Sequence, residues 1–167
     1  MDSTKNIEKE ITITRVFDAP RELVFKVWTE PEHLAQWWGP KGSTIRVSSF
    51  DFKPGGMFHY SMEMHNNVMW GMFRYLEIAA PERIVFVSSF SDEAGNVTPN
   101  AFIPGFPLEI TNVLTLTEHE GKTALTLTGG PLNATPEETQ VFTAMIGNMQ
   151  QGFAGTFEQL EEYLKTL

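Results

Sequence analysis

The sequence has no cysteine among its 167 residues. This absence excludes disulfide bonds, thiolate nucleophiles and zinc sites built on thiolate ligands. The chain also lacks a run of the roughly 18 apolar residues that a membrane-spanning helix needs. Its polar start, MDSTKNIEKE, has no apolar segment typical of a signal peptide. We therefore expect a soluble cytoplasmic protein with no membrane partner.

Basic residues are scarce in the second half of the chain. Residues 1–83 carry ten Lys and Arg against eleven Asp and Glu, whereas residues 84–167 carry only Lys122 and Lys165 against ten acidic residues. A nucleic-acid partner requires a basic face that neutralises phosphates. The sequence offers no such cluster, so nucleic acid is not an expected partner. The net charge of −9 is expected to favour solubility.

Hydrophobic periodicity predicts one α+β domain over residues 1–167. A strand over 7–17 is followed by two short helices, which Pro20 and Pro31 open. Turn signals then separate six further predicted strands, at 43–52, 57–64, 68–79, 83–90, 108–117 and 123–128. Consecutive strands with short turns favour an antiparallel meander with one covered face.

The chain ends in its clearest predicted helix. Thr135 is a suitable N-cap, Pro136 fits the first turn, and Glu138 completes a capping box. Beyond them an apolar stripe recurs at steps of three and four, formed by Phe142, Ile146, Met149, Phe153, Phe157, Leu160 and Leu164. Such a stripe must face an equally apolar surface, so the helix is expected to pack on the sheet.

Three glycines interrupt this helix at 147, 152 and 155. Each costs about 1 kcal/mol relative to alanine in a helix interior. One interpretation is close contact between helix and sheet. The other, which we favour slightly, is a loosened helix that shifts to admit a ligand.

The stretch MFHYSMEMHNNVMWGMFRY, residues 57–75, holds five of the eight methionines. A two-residue turn at Asn66 and Asn67 predicts a hairpin, because asparagine tolerates positive φ. The predicted partners are Met64–Met69, Met62–Gly71, Tyr60–Phe73 and Phe58–Tyr75. One face of this hairpin is then apolar or aromatic. His59 lies on the other face and is expected to be exposed to solvent.

The apolar face of the hairpin fits two environments. Methionine suits a surface that adapts to varied shapes, a buried tyrosine hydroxyl needs a hydrogen-bond partner, and Gly71 leaves room beside its neighbours. These features favour the wall of a ligand cavity. Ordinary packing against the terminal helix explains the same pattern, so the residues alone leave both interpretations open.

Several segments resemble a known family. ITITRVFDAPRELVFKVWTEPEHLAQWWGP, PGGMFHYSME, PERIVFVSSFSDEAGN and MQQGFAGTFEQLEEYL are similar, in this order, to bacterial relatives of the heat shock protein 90 ATPase activator. That family lies in the SRPBCC or START-like superfamily. The resemblance covers nearly the whole chain. It implies a helix-grip fold, in which a bent antiparallel sheet of six or seven strands wraps a long C-terminal helix around an internal cavity.

The leading hypothesis is a protein that binds a small apolar or aromatic molecule in this cavity. The long loop 91–107, which contains Phe102 and Phe106, is the predicted entrance. The candidate ligand-binding residues are Tyr60, Met62, Met64, Met69, Phe73, Tyr75, Phe86, Ser88, Phe90, Phe102, Asn112, Met145, Met149 and Phe153.

The sequence carries no signature of catalysis. Its four histidines do not stand at helical i, i+4 spacing, and neither HExxH nor G-x-S-x-G occurs. We therefore expect no metal, no cofactor and no catalytic residue.

A cyclase- or hydrolase-like enzyme using Tyr60, Tyr75 or an inward histidine is the first alternative function. A module that contacts the chaperone and activates its ATPase is the second, and a homodimer also stays open.

Overall fold

The computed structural model describes residues 10–167. The secondary-structure elements follow the predicted order, with one addition. They are β1 (Ile11–Phe17), α1 (Arg21–Thr29), α2 (Pro31–Trp37), β2 (Thr44–Phe50), β3 (Met57–Met64), β4 (Asn67–Ala79), β5 (Arg83–Ser91), β6 (Val97–Thr98), β7 (Glu109–His119), β8 (Lys122–Leu132) and α3 (Pro136–Leu164). The predicted α+β class is confirmed. Residues 7–9 of the first predicted strand lie outside the described residues.

The strands form one antiparallel sheet in the order β1-β8-β7-β5-β4-β3-β2, with β6 paired to β5. The short strand β6 lies in the segment predicted as a loop, which raises the strand count to eight. Register shifts between Val47 and Ser49 in β2 and between Tyr75 and Glu77 in β4 mark bulges. Bulges bend their strands and increase local twist, which favours curvature of the sheet around α3.

Helix α3 begins at the predicted cap. The Thr135 hydroxyl accepts a hydrogen bond from the Glu138 main-chain N–H at 3.1 Å, and the Glu138 carboxylate accepts one from the Thr135 N–H at 2.9 Å. The capping box is therefore confirmed. It satisfies two donors that the first turn of any helix leaves without partners.

The apolar core forms two clusters at opposite ends of α3. The larger cluster joins α1, α2 and the sheet to the C-terminal half of α3, where Phe157 meets Phe17 with ring centroids 6.2 Å apart. The smaller cluster joins Ile11 to the N-terminal half of α3 through Phe142 and Ile146. Phe153 is only half-buried and packs against both clusters. The middle of α3 is thus less closely covered than its two ends.

The hairpin of β3 and β4 corrects the predicted turn. His65 and Asn66 have positive φ values of 51° and 66°, so the turn lies one residue earlier than predicted. Tyr60 therefore pairs with Gly71 and Met62 with Met69. The partner of each β3 residue thus lies two positions earlier on β4 than predicted. Because side chains alternate along a strand, a shift of two leaves every side chain on its predicted face.

The predicted exposure of His59 is wrong. Its side chain is 4% exposed on the outer face of the sheet. The ring packs against Trp70 with centroids 5.0 Å apart, and Nε2 lies 3.1 Å from both the Ser91 hydroxyl and the Asp92 main-chain oxygen. The β5–β6 turn and Trp70 cover the ring and bury it. Alternation along β3 predicts only the face on which His59 lies, and not whether other segments cover that face.

The described part of the chain, residues 10–167, holds no helix whose length and apolar character would let it cross a bilayer.

The three glycines of α3 do not mark close packing. Apart from the glycine's chain neighbours and the backbone of its own helix, a Cβ placed on Gly147, Gly152 or Gly155 would have no heavy atom within 4 Å. The interpretation of close contact between helix and sheet is therefore wrong. The cost of these glycines is conformational, because glycine gains backbone freedom in the unfolded chain.

Replacing Gly152 and Gly155 together by alanine is expected to raise the free energy of unfolding by about 1–2 kcal/mol. Chemical denaturation measures the change. Gly56→Ala is the control, because its Cβ would overlap the main-chain oxygen of Asp51 and is expected to destabilise the fold. A less stable Gly152→Ala, Gly155→Ala variant would show that the helix needs the backbone flexibility of glycine at these positions.

Candidate ligand-binding site

A cavity of about 270 Å³ lies between the inner face of the sheet and the middle of α3. It is partly open to solvent beside the segment that joins β6 to β7. Its wall is mostly apolar and aromatic. The lining residues are Trp38, Tyr60, Met62, Trp70, Gly71, Phe73, Ser88, Ser89, Phe90, Asn100, Phe106, Pro107, Leu108, Ile110 and Phe153.

The structure brings six of the predicted site residues together around this cavity. Tyr60 and Met62 come from β3, Phe73 from β4, Ser88 and Phe90 from β5, and Phe153 from α3. Pairing of Phe73 with Ser88 and of Gly71 with Phe90 places neighbouring strands in register here. Alternation along each strand directs these residues to the same inner face.

Two predicted aromatic residues lie in the solid core instead. Tyr75 packs against Phe52 with ring centroids 4.9 Å apart, and Phe86 stacks on Phe73 at 4.4 Å. Both face inward as predicted, but they lie closer to the end of the sheet that the larger core cluster fills. They contribute to stability and do not line the cavity.

The predicted methionines other than Met62 also lie outside the cavity wall. Met64 and Met69 lie beside the turn of the hairpin and are half-buried. Met149 packs against the smaller core cluster. Met145 is half-buried on α3, one residue before the buried Ile146.

Two further predicted residues lie near the cavity without lining it. Phe102 is 64% exposed, so it does not close the entrance. Asn112 lies behind Ser88, where its amide group supports the serine hydroxyl. The other phenylalanine of the same loop, Phe106, does line the cavity.

Sequence reasoning missed several lining residues. Ile110 could have been found, because it shares the face of Asn112 two positions along the same strand. Trp38 was hidden in the segment WWGP, which indicates only a helix end followed by a turn. The others absent from the predicted set are Trp70, Gly71, Ser89, Asn100, Phe106, Pro107 and Leu108.

The Trp38 side chain is positioned by the chain turn that follows α2. The Gly39 main-chain oxygen accepts hydrogen bonds from the Thr156 hydroxyl at 3.1 Å and from the Gln159 amide at 2.7 Å. These bonds attach the turn to α3. Trp38 then packs edge-to-face against Phe73 at the cavity wall, with ring centroids 5.1 Å apart.

Tyr60 brings a hydroxyl group to the cavity. Its ring lies over Gly71, since a Cβ on that glycine would be 2.7 Å from the tyrosine oxygen. The space that Gly71 leaves is thus filled by Tyr60. Burial raises the pKa of Tyr60, and a hydrogen bond from the Trp38 indole opposes this shift in part. The hydroxyl therefore stays protonated at neutral pH and acts as a donor.

Ser88 and Asn112 form a second polar element. The Asn112 amide nitrogen donates to the Ser88 hydroxyl oxygen at 2.9 Å and to the Ile110 main-chain oxygen at 3.1 Å. Asn112 is 5% exposed, so these bonds offset the cost of burying its amide. They also fix the position of the serine oxygen at the cavity wall.

Asn100 holds the loop segment at the cavity mouth. Its side-chain oxygen accepts hydrogen bonds from the main-chain N–H groups of Phe102 at 2.8 Å and Ile103 at 3.1 Å. This arrangement turns the chain locally and places Phe106 and Pro107 against the cavity.

The chemistry available at this site is limited to apolar contact and hydrogen bonding. Tyr60 is the one titratable side chain among the lining residues in the described part of the chain. Within residues 10–167, no three His, Asp or Glu side chains lie close enough to hold a metal ion. The arrangement can enclose and orient a small molecule.

Tyr75→Phe is expected to leave the free energy of unfolding unchanged or raise it by up to about 1 kcal/mol. The Tyr75 hydroxyl is buried without a hydrogen-bond partner, so its removal eliminates an uncompensated desolvation cost. Chemical denaturation measures the effect. Tyr163→Phe is the matched control, because it removes a hydroxyl 2.6 Å from His33 Nδ1 and should cost about 0.5–1.5 kcal/mol. A marked loss of stability in Tyr75→Phe would contradict the absence of a partner.

Comparison with solved structures gives neighbours over almost the whole chain. Protein Ms6760 of Mycobacterium smegmatis is 29% identical with a TM-score of 0.75, over 93% of this chain and 90% of that chain. A protein of Staphylococcus epidermidis solved by NMR is 26% identical with a TM-score of 0.77, over 95% and 91%. The AHSA1 protein of Silicibacter pomeroyi, 18% identical with a TM-score of 0.71 over 94% and 98%, shows the fold alone.

No curated protein matches the chain. The family model described as activator of Hsp90 ATPase homolog 1-like protein matches residues 18–165. This match and the fold of the neighbours agree with the predicted helix-grip fold. Because the match spans nearly the whole chain, the protein belongs to the activator of Hsp90 ATPase homolog 1-like family.

Proposed function

We propose that this protein binds a small apolar or aromatic molecule in the cavity between the sheet and α3. The observation that carries the proposal is the cavity of about 270 Å³ with a mainly apolar and aromatic wall. Sites for drug-sized ligands usually measure about 300–1,000 Å³, and an engineered apolar cavity of about 150 Å³ holds benzene. The volume therefore suits a ligand of one or two rings.

The expected affinity is modest. An aromatic group buries roughly 150–250 Å², which at about 25 cal/mol per Å² contributes about 4–6 kcal/mol. Loss of translational and rotational freedom on association offsets part of this gain. Dissociation constants for simple probes should thus lie in the high micromolar to millimolar range. NMR titration suits this range.

The same wall favours binding over the enzyme alternative. A cyclase or hydrolase needs an acid or base within reach of the reacting group. Burial raises the pKa of Tyr60, which favours a hydrogen-bond donor over a base. The second tyrosine of the enzyme alternative, Tyr75, packs in the core away from the wall. The lining residues therefore supply contact and orientation without a general base.

Phe90→Trp is expected to weaken binding of indane by about tenfold or more, equivalent to 1.4 kcal/mol. The larger ring would occupy part of the cavity that Phe90 lines. Phe102→Trp is the matched control, since the same change is made at a side chain that is 64% exposed. Indane affinity should be unchanged in this control. Chemical-shift titration of both variants and the parent protein gives the three dissociation constants.

Two results would contradict the proposed function. One is failure of the parent protein to bind indane or related one- and two-ring probes at millimolar concentration. The other is equal binding by the parent protein and the Phe90→Trp variant, with both spectra showing a folded protein. Binding would then take place outside this cavity.

A further inference from the structure

Three polar side chains of the cavity wall, Tyr60, Ser88 and Asn100, share one property: donors of the protein itself reach their acceptor atoms. The Ser88 oxygen accepts from the Asn112 amide at 2.9 Å. The Asn100 side-chain oxygen accepts from two main-chain N–H groups, at 2.8 and 3.1 Å. The Tyr60 oxygen is reached by the Trp38 indole N–H.

The donor hydrogens of the same three side chains have no acceptor among the described residues. Within residues 10–167, neither the Ser88 hydroxyl, the Tyr60 hydroxyl nor the Asn100 amide donates a hydrogen bond to a protein group. Tyr60 is 7% exposed, so water has little access to its hydroxyl. A donor without a partner in such a site costs free energy that a suitable ligand would recover.

Resting on the proposed function, we propose that the ligand is a neutral aromatic compound that carries a carbonyl-type oxygen as a hydrogen-bond acceptor. Such an oxygen has two lone pairs and no donor, which complements hydroxyl and amide hydrogens. A ligand N–H or O–H could still use the second lone pair of a hydroxyl oxygen. That contact would leave the donor hydrogens unpaired, so it is the weaker match.

Charge restricts the ligand further. No Lys, Arg or His is among the described residues that line the cavity. A carboxylate would lose its hydration there without meeting a cation, and burial of an unpaired charge is costly. The two basic residues of the chain's second half, Lys122 and Lys165, do not line the site. A ketone, aldehyde, lactone or quinone oxygen fits the donors without this cost.

The two hydroxyl groups are separated along the cavity. The Tyr60 oxygen lies over Gly71, and Gly71 pairs with Phe90 on β5. Ser88 lies two residues before Phe90 on the same face, so it is the diagonal neighbour of Gly71 at about 7–8 Å. A single carbonyl oxygen can reach one hydroxyl, and a ring system with an oxygen at each end can reach both.

A series of similar bicyclic probes tests this inference by NMR titration of the full chain. Indane has no polar group, indole offers an N–H donor, and 1-indanone offers a carbonyl acceptor. We expect 1-indanone to bind about fivefold or more tightly than indole, as for one net hydrogen bond. Benzoate, which carries a charged acceptor, should bind more weakly than 1-indanone.

Variants of the two hydroxyl groups provide the second arm. The double variant Tyr60→Phe, Ser88→Ala should bind 1-indanone about fivefold or more weakly, and its preference for 1-indanone over indane should fall by at least the same factor. Tyr75→Phe and Ser48→Ala make the same chemical changes outside the cavity wall. These two controls should bind both probes like the parent protein.

The outcomes separate this inference from the function on which it rests. Indole or benzoate binding as tightly as 1-indanone would overturn it, as would a double variant that keeps the full affinity for 1-indanone. Indane binding that is sensitive to Phe90→Trp would in those cases still support the proposed function. Failure of indane, indole and 1-indanone alike to bind would overturn both.

Discussion

Incomplete covering of α3 is the constraint on which the rest of the structure depends. The helix is packed into apolar clusters near both ends, through Phe142 and Ile146 on one side and Phe157 and Leu160 on the other. Close packing in these clusters fixes the distance between helix and sheet along the whole length of α3. Phe153, in the middle, is left half-buried at that distance. The cavity is a consequence of two well-packed ends that hold the middle apart.

The polar groups keep this arrangement defined. Hydrogen bonds to the Gly39 oxygen from Thr156 and Gln159 attach the turn after α2 to α3 and place Trp38 at the wall. Asn112 fixes the Ser88 hydroxyl in the same way on the opposite side. Buried hydrogen bonds of this kind favour one geometry over its alternatives, because breaking either would leave polar groups unpaired. The wall of the cavity is therefore preformed.

Alternation along strands predicted which faces point inward, and it did so despite a wrong turn position. The shift from an Asn66–Asn67 turn to a His65–Asn66 turn moved every partner by two and left each face unchanged. Alternation could not predict where along each strand the inward-facing residues meet the cavity. Tyr60 and Tyr75 lie on one face and both belong to the larger core cluster, yet only Tyr60 lines the cavity. That difference depends on where α3 crosses, which only the folded chain determines.

The burial of His59 shows the same limit on the outer face, where Trp70 and the β5–β6 turn cover it.

The position of the methionines affects the composition of the cavity wall. Of the five in residues 57–75, only Met62 lines the cavity, whereas seven of the fifteen lining residues are aromatic. Aromatic rings have few rotatable bonds, whereas methionine adapts to varied shapes. Under the proposed function, a wall of packed rings with fixed hydroxyl groups would therefore favour a narrow range of ligands, selected by ring size and by the position of a polar atom.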